Sequence, residues 1–229
     1  SDKNISRLLG AAFVFVWVAS FLSSKLLEAA IGFEFGAGTI SEIMVNISAN
    51  PTLMRVSILV ELLNGLGTIA VAVLLYVVLH KQNKIISLLA LGWWLACVII
   101  LAVSKIGSFA LIPLSLEFVE AGAPASSFYQ TLGNFLYDGF DRVGFDIHFI
   151  FFSLGGILWY YLFYRSRYIP RILSGWGLTS MSLMLIYSLV FFITGDRGLM
   201  ILLVIHMPFE LVLGLWLMVK GIRDGSETK

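Results

Sequence analysis

The chain reads as an all-α polytopic membrane helix bundle with six transmembrane helices, and three observations predict it. Hydrophobic residues make up 59% of the 229 positions and charged ones only 13%, against roughly 25% charged in an ordinary globular chain. Mean hydropathy is +0.94. The apolar residues come in unbroken runs longer than the roughly 18 residues that mark a spanning helix, not in the alternating segments of about ten that a barrel needs. A formal charge of +1 leaves no basic surface of the kind nucleic acid selects, and no nucleic-acid-reading motif accompanies it, so membrane lipid is the expected partner. Cys97 is the single cysteine and lies inside an apolar run, where it behaves as a small hydrophobe.

The first run, Leu8 to Ile31, is long enough to span. Its stretch Leu8 to Leu22 before Ser23 and Ser24 also has the pattern of a signal peptide, and it is taken here as a retained span. Gly32 to Pro51 is long for a connection between packed helices and is expected to carry a short surface helix. The second span runs Thr52 to His80, with Glu61, Asn64 and Gly65 on one face and with Gly65 and Gly67 allowing another backbone to approach. Ile85 to Ile112 is the third. Pro113 to Phe140 is a second long connection in which Phe128, Leu132, Phe135 and Leu136 recur at helical spacing, suiting an interfacial helix that serves as surface anchor or as lid. Asp141 to Tyr164 and Leu173 to Thr194 follow, the latter offering only Thr179, Ser180, Ser182, Tyr187 and Ser188 as polar groups. In the last span, Leu199 to Lys220, Pro208 is expected to kink the helix between His206 and Glu210. No repeat or second domain is visible, so residues 1–229 are read as one transmembrane domain.

Orientation follows from Lys and Arg in the connections. Lys3 and Arg7, Lys81 and Lys84, Arg165, Arg167 and Arg171, and Lys220, Arg223 and Lys229 fall on one side. The alternate connections hold Glu34, Glu42, Glu117, Glu120, Asp138 and Asp196 against Arg197. Basic connections stay in the cytoplasm, which places both termini inside.

With that orientation, Lys25, Glu28, Glu61, Lys105, Asp141, Arg142, Asp146, His148, His206 and Glu210 fall in or just under the outer third of the spans. At 1.5 Å of rise per residue most of them lie about 8–14 Å from the outer end. An ionisable group facing lipid costs roughly 2.5–3.5 kcal/mol on insertion scales, so the set must turn inward, pair, or be wetted. Asp141 and His148 share a helix face, and Arg142 and Asp146 are spaced to pair along the next one.

Four readings compete for this layer. In the plainest, acids and bases form a structural ion-pair network. In the second, His148, His206 and Asp141 hold a metal such as zinc, with Glu61 or Glu210 as general base and Lys25, Glu28, Asn64, Lys105, Arg142 and Asp146 lining a ligand pocket open to the outside. No HExxH-type local motif supports it. A carrier would need broken helices and a route through the cytoplasmic half, which is nearly purely apolar. A bis-histidine haem would be crowded by the carboxylates. As mechanism the sequence is read as a membrane-embedded hydrolase or transferase acting on a lipid or amphiphile, the alternative being a non-enzymatic binding, transport or accessory protein. Trp93, Trp94, Trp159, Tyr160 and Tyr161 are read as helix contacts or headgroup anchors. Asn46, Ile47 and Ser48 spell an acceptor sequon that recurs by chance.

Several segments carry a family resemblance. Arg7-Leu8-Leu9-Gly10, Asn46-Ile47 followed by Arg55 and Glu61, Gly144-Phe145-Asp146-Ile147, Tyr168-Ile169-Pro170-Arg171-Ile172-Leu173, and Glu210 before Leu215-Trp216-Leu217 and Lys220-Gly221 resemble a bacterial six-helix membrane family known as domain of unknown function 4386. The likeness covers nearly the whole chain and implies a bacterial inner, or cytoplasmic, membrane. It brings no catalytic residues. A fainter likeness exists to the ceramidase and progestin-receptor class of membrane hydrolases, which close on His-x-x-x-His over seven helices. Here that place reads His206-x-x-x-Glu210 and the helices number six.

Overall fold

The computed structural model describes residues 2–34, 37–125 and 128–222. Arg223 and Lys229, and the side chain of Lys3, lie outside the described set. The described residues form helices α1 (Asp2–Ile31), α2 (Ile40–Ala49), α3 (Pro51–Leu79), α4 (Lys84–Glu120) and α5 (Phe128–Asn134). A π-helical segment, Phe135–Arg142, leads into α6 (Val143–Ser166). After α7 (Arg171–Thr194), a 3₁₀ segment, Gly198–Ile205, precedes α8 (His206–Val219). Among the described residues, six helical stretches are long and apolar enough to cross a membrane: Asn4–Ile31, Pro51–Leu79, Lys84–Glu120, Phe128–Ser166, Arg171–Thr194 and Gly198–Val219. The protein is therefore an integral, multi-pass membrane protein, as its composition predicts.

Local chemistry places the helix ends. Thr39 caps α2 through a capping box: its hydroxyl accepts from the Glu42 N–H while Glu42 accepts from the Thr39 N–H at 2.8 Å. Pro51 opens α3, where a missing N–H loses nothing. The Asn83 side chain accepts from the Ile86 N–H at the start of α4. Gly122, at φ 84°, ends that helix, and the N–H groups of Gly122 and Ala123 return to the Val119 and Phe118 carbonyls.

Two expectations need correcting. Pro113 was expected to end the third span, but α4 runs through it to Glu120. The proline breaks one backbone bond, while Leu111, Ile112 and Leu114 around it are buried in a shared core and hold the turn in place. The residues expected to form a separate interfacial helix are α5 and the π-helical segment. They are continuous with α6, so Phe128–Ser166 is one helical path. α5 packs on α2, where Gln130 donates to Ser41 and Gly133 leaves no room for a Cβ, which would lie 2.9 Å from Ile40 Cγ1. The short helix expected between Gly32 and Pro51 is α2, half-buried through Ile43, Met44 and Ile47.

The chain divides into two compact units. Unit I comprises Ser1–Trp17, Leu66–Ile99 and Ile147–Lys229, and unit II comprises Val18–Gly65 and Ile100–Asp146. The core of unit I gathers Phe13, Trp94, Trp159, Tyr160, Phe163 and Phe209, and Gly10 and Gly214 bring α1 and α8 into backbone contact there. The core of unit II gathers Ile43, Met44, Ile47, Met54, Phe118 and Tyr137. In lipid, helices gain little from hiding apolar surface against one another, so close packing at small residues takes that role.

Candidate functional site

The ten residues predicted to form one charged layer are shared between the units. Lys25, Glu28, Glu61, Lys105, Asp141, Arg142 and Asp146 belong to unit II, and His148, His206 and Glu210 belong to unit I.

In unit II the chemistry is ion pairing. Lys105 on α4 reaches Asp141 on the π-helical segment at 2.9 Å, with side chains 10% and 1% exposed. Arg142 bonds Asp138 at 2.8 Å, one turn back along the same segment. Lys25 pairs with Glu28 three residues on, at a more open position. Backbone proximity brings the Lys105 pair together. A Cβ on Gly107 would sit 2.8 Å from the Leu136 carbonyl oxygen, and one on Gly144 would sit 2.4 Å from Ser104 Cβ. Phe145 and Tyr137 lie under Lys105 and Arg142 respectively, their ring centroids 5.8 Å from each cation. Glu61 accepts from the Asn64 amide at 3.4 Å, the one-face relation expected of α3. Asp146 is buried. The Asn46 amide donates to the Ile31 carbonyl at 2.9 Å, which makes the sequon asparagine an inter-helix clasp.

In unit I a different arrangement forms. Ser180 on α7 places its Oγ 3.1 Å from His206 Nδ1, and His206 Nε2 lies 3.2 Å from Glu210 Oε1, out of line for a good hydrogen bond. All three are buried, at 1%, 6% and 9% exposure. The rings of Phe152 and Phe209 each centre 5.7 Å from the His206 ring. Ser180 also lies 3.0 Å from the Gly177 carbonyl. The hydroxyl has one proton and two acceptors. When Nε2 carries the imidazole proton toward an ionised Glu210, Nδ1 is free to accept from Ser180; when both nitrogens are protonated, the hydroxyl turns to Gly177. His148 is buried in unit I with its ring 4.3 Å from that of Phe149.

Pro208 acts otherwise than predicted. It is the third residue of α8, in the first turn, where its missing N–H belongs to the unbonded set of any helix start. It has no N–H to offer the Val204 carbonyl and its ring crowds that group, so the preceding turn tightens to 3₁₀ and the α-helix begins anew at His206. The carbonyls on either side of His206 are then bound by indoles: Trp17 donates to Met207 at 2.7 Å and Trp176 to Ile205 at 3.1 Å.

Of the metal set expected from sequence, His148 and His206 belong to unit I and Asp141 to unit II. Among the described residues no group of three or more His, Cys, Asp or Glu is placed to hold a metal ion. Asp141 is engaged by a cation, and His206 by Ser180 and Glu210. Sequence reading missed Ser180 as a partner of His206, Asp138 as a partner of Arg142, and both tryptophans. Spacing within one helix signals Asp138, but nothing short of the fold joins Ser180 to His206.

The family model described as Domain of unknown function (DUF4386) matches residues 8–221, and the chain belongs to that family. No curated protein and no solved structure matches it.

Proposed function

We propose that this protein is a membrane-embedded hydrolase or transferase that acts on the ester or amide of a membrane lipid or similar amphiphile, with Ser180 as nucleophile, His206 as general base and Glu210 holding the imidazole. One observation carries the reading: a buried hydroxyl, imidazole and carboxylate lie in sequence at 3.1 and 3.2 Å. Ionisable groups inside a membrane are costly and usually functional. Ser180 Oγ attacks the acyl carbon and its proton passes to Nδ1, while Glu210 stabilises the imidazolium. The leaving oxygen or nitrogen takes that proton as its bond to the acyl carbon breaks. Water then releases the acyl group, or another alcohol or amine receives it. The 3₁₀ segment beside the site has no buried side chain, which suits entry from the lipid phase. The charge pattern of the connections supports both termini inside, and the family resemblance supports a bacterial cytoplasmic membrane.

A second reading, in which the buried charges only hold the bundle together, is favoured in unit II by the Lys105–Asp141 pair. The two are separated by treating purified protein with a biotinylated fluorophosphonate, in which Ser180 Oγ would displace fluoride from phosphorus. Labelling that is lost in Ser180→Ala and His206→Ala and persists in EDTA supports the hydrolase. Absence of labelling in detergent and in lipid nanodiscs would leave only the structural reading.

A further inference from the structure

Acyl transfer by a serine needs more than a base, because negative charge develops on the carbonyl oxygen and a fixed donor must meet it. No residue of the Ser180–His206–Glu210 chain is free to do so. Tyr160 on α6 is fully buried, and its hydroxyl has no hydrogen-bond partner among the described residues. A buried donor without a partner costs about 1–3 kcal/mol, so its retention asks for an explanation. The ring of Tyr160 lies against the catalytic helix, since a Cβ on Gly177 would sit 2.7 Å from Tyr160 Cγ, and Gly177 is the residue whose carbonyl holds the Ser180 hydroxyl. The same ring meets Phe209 edge-on at 4.9 Å, and Phe209 in turn packs on His206 at 5.7 Å. The Tyr160 ring is thus seated between α7 and α8, against Gly177 and Phe209, each three residues from Ser180 or His206.

We propose that the Tyr160 hydroxyl is the donor that receives the carbonyl oxygen of the bound acyl group and stabilises it as it becomes an oxyanion. The inference rests on Ser180 being the nucleophile. It explains why a phenol stands where phenylalanine would fill the same space without an unsatisfied atom. It also predicts opposite signs for stability and rate, which a structural tyrosine does not.

The test compares wild type, Tyr160→Phe and Tyr161→Phe in detergent, reading thermal midpoint, the rate of fluorophosphonate labelling, and kcat and KM for a p-nitrophenyl acyl ester. Tyr161, whose hydroxyl faces Arg165 at 3.4 Å, is the control. Tyr160→Phe is expected to keep or raise the midpoint, to slow labelling and kcat by about 10²-fold, the usual loss for one oxyanion donor, and to leave KM near wild type. An unchanged labelling rate and kcat would overturn the assignment while leaving the triad intact. A fall of the midpoint by several degrees would overturn it too, by showing that the hydroxyl has a structural partner such as buried water. If wild type itself is neither labelled nor active, the failure lies with the Ser180 reading, and the Tyr160 assignment falls with it.

Discussion

Units I and II both bury ionisable side chains in a chain that spans a membrane, and they satisfy them in different ways. In unit II, Lys105, Arg142 and Lys25 each end on a carboxylate, and the deepest pair is locked where Gly107 and Gly144 let backbones nearly touch. In unit I, His206 shares the Ser180 hydroxyl with the Gly177 carbonyl and has the Glu210 carboxylate 3.2 Å from its other nitrogen, with no Lys or Arg among these groups. A carboxylate matched by a cation has its charge neutralised and offers little to a substrate. A histidine between a hydroxyl and a carboxylate retains a proton that can move. Ionisable residues buried in one membrane chain therefore need not share a role, and the kind of partner is the better guide.

The contrast breaks most sharply at Lys105. Lys105→Met leaves Asp141 buried without its cation, and the expected loss is about 3–5 kcal/mol, read as a large fall in thermal midpoint and in yield of folded protein. The double variant Lys105→Met, Asp141→Leu should recover most of it. Failure of the double variant to recover would mean that the pair does more than neutralise itself. His206→Ala should be milder for stability, since it removes a hydrogen bond worth about 1 kcal/mol together with some packing, while abolishing labelling of Ser180.

Glycine substitutions sharpen the comparison at the level of packing. Gly144→Ala in unit II forces a Cβ to within 2.4 Å of Ser104 Cβ, and Gly10→Ala in unit I forces one to within 2.6 Å of the Gly214 carbonyl oxygen. Both should destabilise by about 1–3 kcal/mol. Gly10→Ala should be the worse, because its neighbour is backbone. Equal midpoints for wild type and either variant would show that the helices there yield to a methyl group at no cost.

Trp176→Phe and Trp17→Phe remove the indole bonds that flank His206 and should each lower stability by about 1 kcal/mol. The smallest effect belongs to the capping box of α2. The Thr39 N–H, and then its hydroxyl, hold the exposed Glu42 carboxyl below its ordinary value of 4.5. The folded state thus favours the ionised form, so the contribution is complete above that value and is lost as pH falls through the lower folded value. Glu42→Gln should flatten the acid limb of a pH–stability curve, and Thr39→Ala should remove about 1 kcal/mol at neutral pH.

The sequence by itself determined that this is a six-helix membrane protein, and the physical reason is length: a bilayer admits only long apolar helices or closed barrels, and unbroken apolar runs exclude the barrel. It also determined local relations along one helix, such as Glu61 beside Asn64 and His206 beside Glu210, because the helical repeat sets which residues share a face. The extension of α4 through Pro113 was not legible, since whether a proline ends a membrane helix depends on what packs around it. Partners across helices were decided only by the tertiary structure. That Lys105 meets Asp141 and Ser180 meets His206 depends on how each helix is rotated about its axis and which neighbour it touches. Depth counted along a sequence does not contain that rotation, which is why the predicted layer divides into residues paired as ions in one unit and a histidine set between a hydroxyl and a carboxylate in the other.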